Sequence, residues 1–181
     1  MVIRNETRRQ RYDKKLKNAK RYPISLCAIN FRIDDNLGYL IRSAACFGAE
    51  RLYVIGHVPE RHSVISSSGS LYDYVEIEKF SKPSEFLAHM RFEGTQVVSA
   101  ELVEEARPLA DYNFNFDRPV CLVVGNEATG IPTEILAKSD VVYINMPGVG
   151  YCLNTSQAAN IMLYEATRQY EWKICQLKKL A

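Results

Sequence analysis

Short apolar runs alternate with helical patterns along the 181-residue chain, and this alternation constrains the fold more than any other feature. Six runs have the length and composition of strands: residues 23–29, 51–56, 74–80, 95–102, 119–125 and 141–146. Several are apolar throughout, as strands of a parallel sheet buried on both faces tend to be. The sequence therefore predicts one α/β domain with a mostly parallel sheet and helices on both faces.

Helical spacing separates these runs. Apolar residues recur at three- and four-residue intervals behind Asp34-Asp35-Asn36, whose residue types favour a helix N-cap. Three further helices are predicted, for residues 82–92, for 132–139 and from 155 to beyond 170. Segments 57–70 and 104–119 are rich in Ser, Asn, Asp, Gly or Pro, and we interpret them as loops.

The charge of the chain is unevenly distributed. Residues 1–21 contain nine Lys or Arg against Glu6 and Asp13, a net charge of +7, whereas the remaining residues carry −5. We therefore divide the chain into a basic N-terminal extension, 1–21, and a main domain, 22–181. A basic arm on a mildly acidic body is typical of a protein that binds nucleic-acid phosphates. A solvated chain terminus has the same composition, and both interpretations stay open.

The composition also excludes several classes of protein. The five cysteines are widely spaced without a C-x-x-C pair, which indicates a reduced cytoplasmic protein rather than a disulfide framework. The three histidines form no ligand-spaced pair with one another or with a cysteine, so we expect no metal site. No apolar run approaches the roughly 20 residues of a membrane span.

A first candidate motif lies at the start of the predicted helix behind residue 34. Gly38 and Arg42 are four residues apart on one helix face, so the missing side chain at 38 is expected to leave room beside the guanidinium. An arginine near a helix N-terminus does not complement the helix dipole. It suits a phosphate or a developing oxyanion, and an ordinary surface arginine is the alternative.

A second motif, VVGNEATGIP at 123–132, ends a predicted strand by presenting Glu127 between glycines. Ligands of parallel sheets bind outside the carboxyl ends of the strands, where Glu127 is expected. Gly125 and Gly130 allow the backbone to approach a ligand closely. The pattern is neither the dinucleotide fingerprint nor the P-loop. The alternative is a tight turn with Asn126 and Glu127 in water.

A third motif occupies residues 144–165. A strand ends at Met146-Pro147-Gly148, and a helix begins near Asn154, with Gln157 at the spacing of a capping box. We expect Asn154 to contribute to that cap whatever else it does. The small residues Ala158-Ala159 allow another helix to approach, either in the core or in a dimer.

Together and in this order, the three motifs resemble those of the SpoU (TrmH) family of RNA ribose 2′-O-methyltransferases in the SPOUT superfamily. Asn36, Gly38 and Arg42 look like its first motif, N-x-G-x-x-x-R. The likeness extends from about residue 24 to about residue 170. One position departs from it: Cys152 stands where relatives often have Ser, and a thiol is a poorer hydrogen-bond partner than a hydroxyl.

The resemblance implies a C-terminal trefoil knot that builds a pocket for S-adenosylmethionine, and a homodimer whose active sites draw on both subunits. It implies cofactor-binding residues Gly125, Asn126, Glu127, Ile144, Met146, Leu153 and Asn154. It implies catalytic residues Arg42, Asn36, Glu127, Asn154 and Ser156. The basic arm then becomes an RNA-binding extension, with candidate contacts Arg8, Arg9, Arg11, Lys14 and Lys15 alongside Arg42.

By the same resemblance Arg42 acts at the ribose 2′-hydroxyl. As a cation it holds the neighbouring phosphate and stabilises negative charge on oxygen. As a general base it must first lose a tightly held proton. Both roles stay open. Asn36 orients Arg42 or the ribose, and Glu127 fixes the site or its RNA contacts. No metal is required, because a sulfonium is already an activated leaving group.

Two rival functions remain. The runner-up is a knotted protein that binds RNA without turnover, and Cys152 would then be a sign that catalytic function was lost. The joint presence of four motif residues argues against this alternative: Arg42, Asn36, Glu127 and Asn154. A nucleotide-binding oxidoreductase lacks its glycine fingerprint. The sequence leaves open whether the substrate is tRNA or rRNA, and the compact size resembles the tRNA-modifying members slightly more.

Overall fold

A computed structural model describes residues 6–180 and contains one seven-stranded sheet. Its strands are β1 (Ile24–Ile29), β2 (Leu52–Ile55), β3 (Ile77–Phe80), β4 (Gln96–Ala100), β5 (Arg107–Pro108), β6 (Val120–Val124) and β7 (Asp140–Tyr143). Their order is β3-β2-β1-β6-β4-β7-β5, and every pairing is parallel. The prediction of an α/β fold with a parallel sheet is confirmed.

Five helices accompany the sheet within residues 6–180. They are α1 (Arg8–Leu16), α2 (Asp34–Phe47), α3 (Pro83–Phe92), α4 (Thr133–Leu136) and α5 (Thr155–Leu180), with 3-10 turns at Tyr72–Tyr74 and Leu109–Asp111. The four predicted helices are present as α2 to α5. Helix α1 was not predicted, because it buries no residue and so has no apolar period. Strand β5 was missed because only two residues pair within the predicted loop 104–119.

The sheet separates two cores, and β6 at its centre contributes to both. Val120, Leu122 and Val124 face the core built with α2 and α5. Cys121 and Val123 face the smaller core built with α3 and α4. This alternation is the period of a strand covered on both faces, so the apolar run of β6 follows directly from its central position.

The larger core fixes the relation of α2 to α5. Leu40 and Ile41 of α2 are fully buried there, as are Met162 and Leu163 of α5. Of the two small residues expected to allow a close approach, Ala159 lies in this core. The packing places the N-termini of α2 and α5 at the carboxyl ends of β1 and β6.

The five cysteines are all free. Cys27 and Cys121 are buried in neighbouring strands, and burial raises the pKa of both thiols, so they remain neutral. Among residues 6–180, no helix is long and apolar enough to cross a membrane.

Leu122→Ala tests the central position of β6. Leu122 is 0 % exposed, so truncation leaves a cavity, and we expect the free energy of unfolding to fall by about 2–5 kcal/mol. The control Leu177→Ala, at a side chain 56 % exposed on α5, should change it by less than about 0.5 kcal/mol. Urea denaturation measures both. Equal losses in the two variants contradict the central placement of β6.

Candidate active site

A cavity of about 530 Å³ lies at the carboxyl ends of β4, β6 and β7. All seven residues expected to bind a cofactor line it: Gly125, Asn126, Glu127, Ile144, Met146, Leu153 and Asn154. Ligands of parallel sheets bind at this edge, and the volume suits a ligand of nucleoside size. The structure therefore brings residues of the second and third motifs around one space.

A tight turn after β6 forms one wall of the cavity. Asn126 and Gly130 exchange two backbone hydrogen bonds, with N···O distances of 3.1 and 3.0 Å. A Cβ at Gly125 would lie 2.7 Å from the Gly130 carbonyl oxygen, closer than real side chains approach. Gly130 has a φ of +67°, a region that favours glycine. Both glycines are needed to fold back the turn that presents Glu127.

The Glu127 carboxylate has specific partners rather than bulk water alone. It accepts hydrogen bonds from the backbone N–H of Arg32 at 2.9 Å, the backbone N–H of Ile33 at 3.4 Å and Nδ2 of Asn36 at 2.6 Å. Partial burial acts to raise the pKa of Glu127, but these bonds outweigh it and hold the pKa below its ordinary value. Glu127 is therefore ionised at neutral pH.

The chain of hydrogen bonds continues into the third motif. Oδ1 of Asn36 accepts from Nδ2 of Asn154 at 2.9 Å. Oδ1 of Asn154 accepts from the backbone N–H of Ser156 at 2.9 Å and from its hydroxyl at 2.6 Å. We call Glu127, Asn36, Asn154 and Ser156 the motif network. It links all three motifs, and it contains four of the five residues expected to be catalytic.

Two helix caps differ from the prediction. The N-cap of α2 is Ile33, without a side-chain bond, so Asp34-Asp35-Asn36 do not cap it. The Glu127 carboxylate takes the N–H groups just before α2 instead, where the helix dipole favours a negative charge. Asn154 does accept from the first turn of α5, but its partner there is Ser156 and not Gln157. Asn154 thus serves the cap and the motif network together.

Arg42 lies apart from the cavity. It is exposed on α2, six residues after Asn36 and hence about 9 Å along the helix axis. The expectation that Gly38 leaves room for its guanidinium is wrong, because Ser67 occupies that space. A Cβ at Gly38 would lie 2.8 Å from Cβ of Ser67. Arg42 lies beside Gly69 instead, where a Cβ would lie 3.5 Å from its Nε.

The candidate RNA contacts of the basic arm are exposed on α1: Arg8, Arg9, Arg11, Lys14 and Lys15. Arg4 of the same arm lies outside the described residues. A capping box between Thr7 and Gln10 starts α1. Tyr12 joins α1 to loop 57–70, since its hydroxyl donates to the Gly69 carbonyl at 3.1 Å. The basic helix therefore lies beside the segment that contacts Arg42.

Glu101 and Thr155, two polar residues that line the cavity, were not predicted. Glu101 follows β4 as Glu127 follows β6, and it accepts from the backbone N–H of Ile131 at 3.0 Å. Thr155 donates its hydroxyl to the Gly125 carbonyl at 3.0 Å and so ties α5 to β6. An acidic residue directly after an apolar run was the available signal for Glu101. Within the part of the chain described, no cluster of three His, Cys, Asp or Glu could hold a metal.

The fold and the site define a class: a parallel α/β protein with a nucleoside-sized cavity at its strand ends and a polar network beside it. The model of the SpoU rRNA Methylase family matches residues 23–164, so the chain belongs to this family. The match covers the sheet, α2 and the start of α5, and it confirms the resemblance of the three motifs.

Individual relatives agree with this assignment. The tRNA (guanosine(18)-2′-O)-methyltransferase of Escherichia coli K12 is 28% identical over 153 residues, covering 83% of this chain and 66% of that relative. The chain therefore spans slightly less than two thirds of its length. The crystal structure of the A. aeolicus TrmH/SpoU tRNA modifying enzyme is 28% identical with a TM-score of 0.74, covering 90% of this chain and 85% of that one.

A third relative was crystallised with its cofactor. The AdoMet-bound rRNA methyltransferase from Sinorhizobium meliloti is 25% identical with a TM-score of 0.75. The match covers 81% of this chain and 58% of that one. The relatives thus include enzymes named for tRNA and for rRNA.

Glu127→Gln tests the ionised carboxylate of the motif network. Because the pKa of Glu127 is lowered in the folded state, its charge stabilises the fold above the ordinary pKa of 4.5. That contribution is lost as pH falls through the lowered pKa. We expect the variant's deficit in unfolding free energy to be largest near pH 7 and to shrink below pH 4.5, in urea denaturation across this range.

Glu104→Gln is the control, since Glu104 is an exposed loop carboxylate. Its effect on unfolding should be small at every pH of the series. A deficit for Glu127→Gln that stays constant down to the lowest pH would show that the charge of Glu127 is not what stabilises the site.

Proposed function

We propose that the protein transfers a methyl group from S-adenosylmethionine to a ribose 2′-hydroxyl of tRNA or rRNA. The observation that carries this proposal is the motif network, which connects the three motifs beside one cavity. The names of the relatives support the reaction and both RNA classes.

The residues around the cavity fit this cofactor. Apolar side chains such as Leu102, Ile144 and Leu153 offer a surface for an adenine ring, while the turn after β6 offers backbone polar groups. The carboxylates of Glu101 and Glu127 suit a ligand that carries positive charge. When bound, S-adenosylmethionine supplies a methyl group activated by its sulfonium. The protein then has to orient the ribose and stabilise its oxygen.

Arg42 is proposed to act on the ribose as a cation. Its guanidinium is exposed, and a guanidinium in water holds its proton too firmly to serve as a base. A fixed positive charge can bind the neighbouring phosphate and stabilise negative charge on the 2′-oxygen. The hydroxyl proton then passes to water. This electrostatic role is our choice between the two that the sequence left open.

We further propose a C-terminal trefoil knot. After β7 the chain returns across the strand ends, and Thr155 at the start of α5 binds the Gly125 carbonyl after β6. Helix α5 then packs against α2, β1 and β6. A knot requires the C-terminal segment to pass through a loop of the chain, and the return of the chain to the 125–130 turn supports such a path.

We also propose a homodimer. Ile161, Tyr164 and Trp172 lie on one face of α5, and all three are exposed. Arg42 does not line the cavity of its own chain, which supports a site completed by a second copy. Both observations agree with a dimer that uses the outer face of α5.

The basic extension 1–21 is proposed as an RNA-binding arm of the main domain 22–181. Five cationic side chains of α1 are exposed, and each phosphate contact releases counterions. Such contacts add affinity without sequence preference, so the target nucleotide must be selected elsewhere. The free cysteines and the RNA substrates of the relatives support a cytoplasmic location.

Arg42→Ala tests the reaction. We expect transfer of labelled methyl from S-adenosylmethionine to total RNA, recovered as a 2′-O-methyl nucleoside, to fall at least about a hundredfold. Calorimetry should show unchanged cofactor affinity, because Arg42 does not line the cavity. The size of the labelled RNA separates tRNA from rRNA.

Arg91→Ala is the matched control, since Arg91 is an exposed arginine of α3 on the other face of the sheet. It should retain full transfer. Cofactor binding without any methyl transfer by the unaltered protein would favour the rival function, an RNA-binding protein without turnover.

A further inference from the structure

We propose that Tyr12 is a positioning residue that couples the basic helix α1 to the placement of Arg42. This inference rests on the proposed function of Arg42 in methyl transfer. It assigns a task to a residue outside all three motifs and outside the segment that the family model matches, 23–164.

The first contact is between Tyr12 and loop 57–70. Tyr12 is the only residue of α1 that is not exposed. Its hydroxyl donates to the Gly69 carbonyl at 3.1 Å, and its ring meets the ring of Tyr74 edge to face, with centroids 5.6 Å apart. Tyr12 is therefore the side chain through which α1 is attached to this loop.

The second contact is between the loop and Arg42. Gly69 has a φ of +61°, and a Cβ there would lie 3.5 Å from Nε and 3.6 Å from Cζ of Arg42. The next residue, Ser70, also has positive φ, at 66°. The backbone thus reverses beside the guanidinium, where a side chain at residue 69 would touch it. No carboxylate within residues 6–180 forms an ion pair with Arg42, so the adjacent Gly69 backbone is the neighbour that we infer restricts its orientation.

The residues just before Gly69 are buried against α2. Ser67 and Ser68 are buried, and Ser67 fills the space left by Gly38 on α2. Ser67, two residues before Gly69, therefore packs the loop against α2, the helix that carries Arg42. Because Ser67 and Ser68 are buried, we expect loss of the bond at the Gly69 carbonyl to affect the backbone next to Arg42 more than the rest of the loop.

Through the two contacts, binding of RNA to α1 is coupled to the orientation of Arg42. Phosphates held by the cations of α1 fix the helix, Tyr12 fixes Gly69, and Gly69 limits the orientation of Arg42. Loss of the Tyr12 hydroxyl should leave the cations of α1 in place and loosen only the last step. Turnover should therefore suffer more than RNA affinity.

Tyr12→Phe keeps the ring and removes only the hydroxyl. With the full chain, S-adenosylmethionine and total tRNA as substrate, or rRNA if that is the labelled class, we expect kcat to fall about threefold to tenfold, the equivalent of one neutral hydrogen bond. KM for RNA and the Kd for S-adenosylmethionine should stay unchanged.

Tyr74→Phe is the matched control. The Tyr74 hydroxyl donates to Oδ1 of Asp13 at 2.6 Å, so it also holds α1 but does not touch Gly69. We expect kcat to stay at the wild-type value in this variant, because the bond from Tyr12 to Gly69 is intact. Equal losses of kcat in both variants, or a wild-type kcat for Tyr12→Phe, would overturn the inference.

A second readout does not depend on activity. Phenylglyoxal modifies exposed arginines, and peptide mass spectrometry can follow its rate at Arg42. Because Arg42 is less restricted in Tyr12→Phe, we expect its modification rate to rise about threefold to tenfold. In Tyr74→Phe the rate should stay the same. If the unaltered protein transfers no methyl group, the proposed function fails and this rate alone decides the role of Tyr12. An unchanged rate in Tyr12→Phe then overturns it.

Discussion

The site depends on one buried amide, the side chain of Asn36. An amide donates and accepts at the same time, and Asn36 uses both capacities: Nδ2 donates to Glu127 and Oδ1 accepts from Asn154. Asn36 is 2 % exposed, so water cannot replace a lost partner. A buried polar group left unpaired costs about 1–3 kcal/mol. The residue therefore fixes two distant segments of the chain against α2.

The consequences of this amide extend to the charge and the shape of the site. Glu127 is held ionised beside the N-terminus of α2. Asn154 caps α5, and the first residue of that helix, Thr155, donates to the Gly125 carbonyl. These bonds set the turn after β6 and the approach to α5, which are two walls of the cavity. Arg42 lies on the same helix as Asn36 but contacts loop 57–70 instead. The helix thus connects the proposed cofactor site to the proposed RNA side.

Local pattern was sufficient for six of the seven strands and for the position of the site, but not for the two-residue strand β5 or for the contacts of the site. The apolar run of β6 follows from burial on both faces, and Glu127 was placed at a strand end by its position alone. The space beside Gly38 was assigned to Arg42, whereas Ser67 fills it, because a contact between distant segments leaves no trace in helical spacing. The bond from Tyr12 to Gly69 was missed for the same reason, because it also joins distant segments. Helix α1 was missed because an exposed helix has no apolar period.

A double-mutant cycle of Asn36→Ala and Asn154→Ala, with S-adenosylmethionine affinity measured by calorimetry, tests most directly whether the motif network holds the cavity together. If the two amides act through their shared bond, each single variant weakens binding and the double variant weakens it little further. The coupling free energy should then be about 0.5–3 kcal/mol. Losses that simply add would show that the two residues act independently, and would contradict the central role of Asn36 in the site.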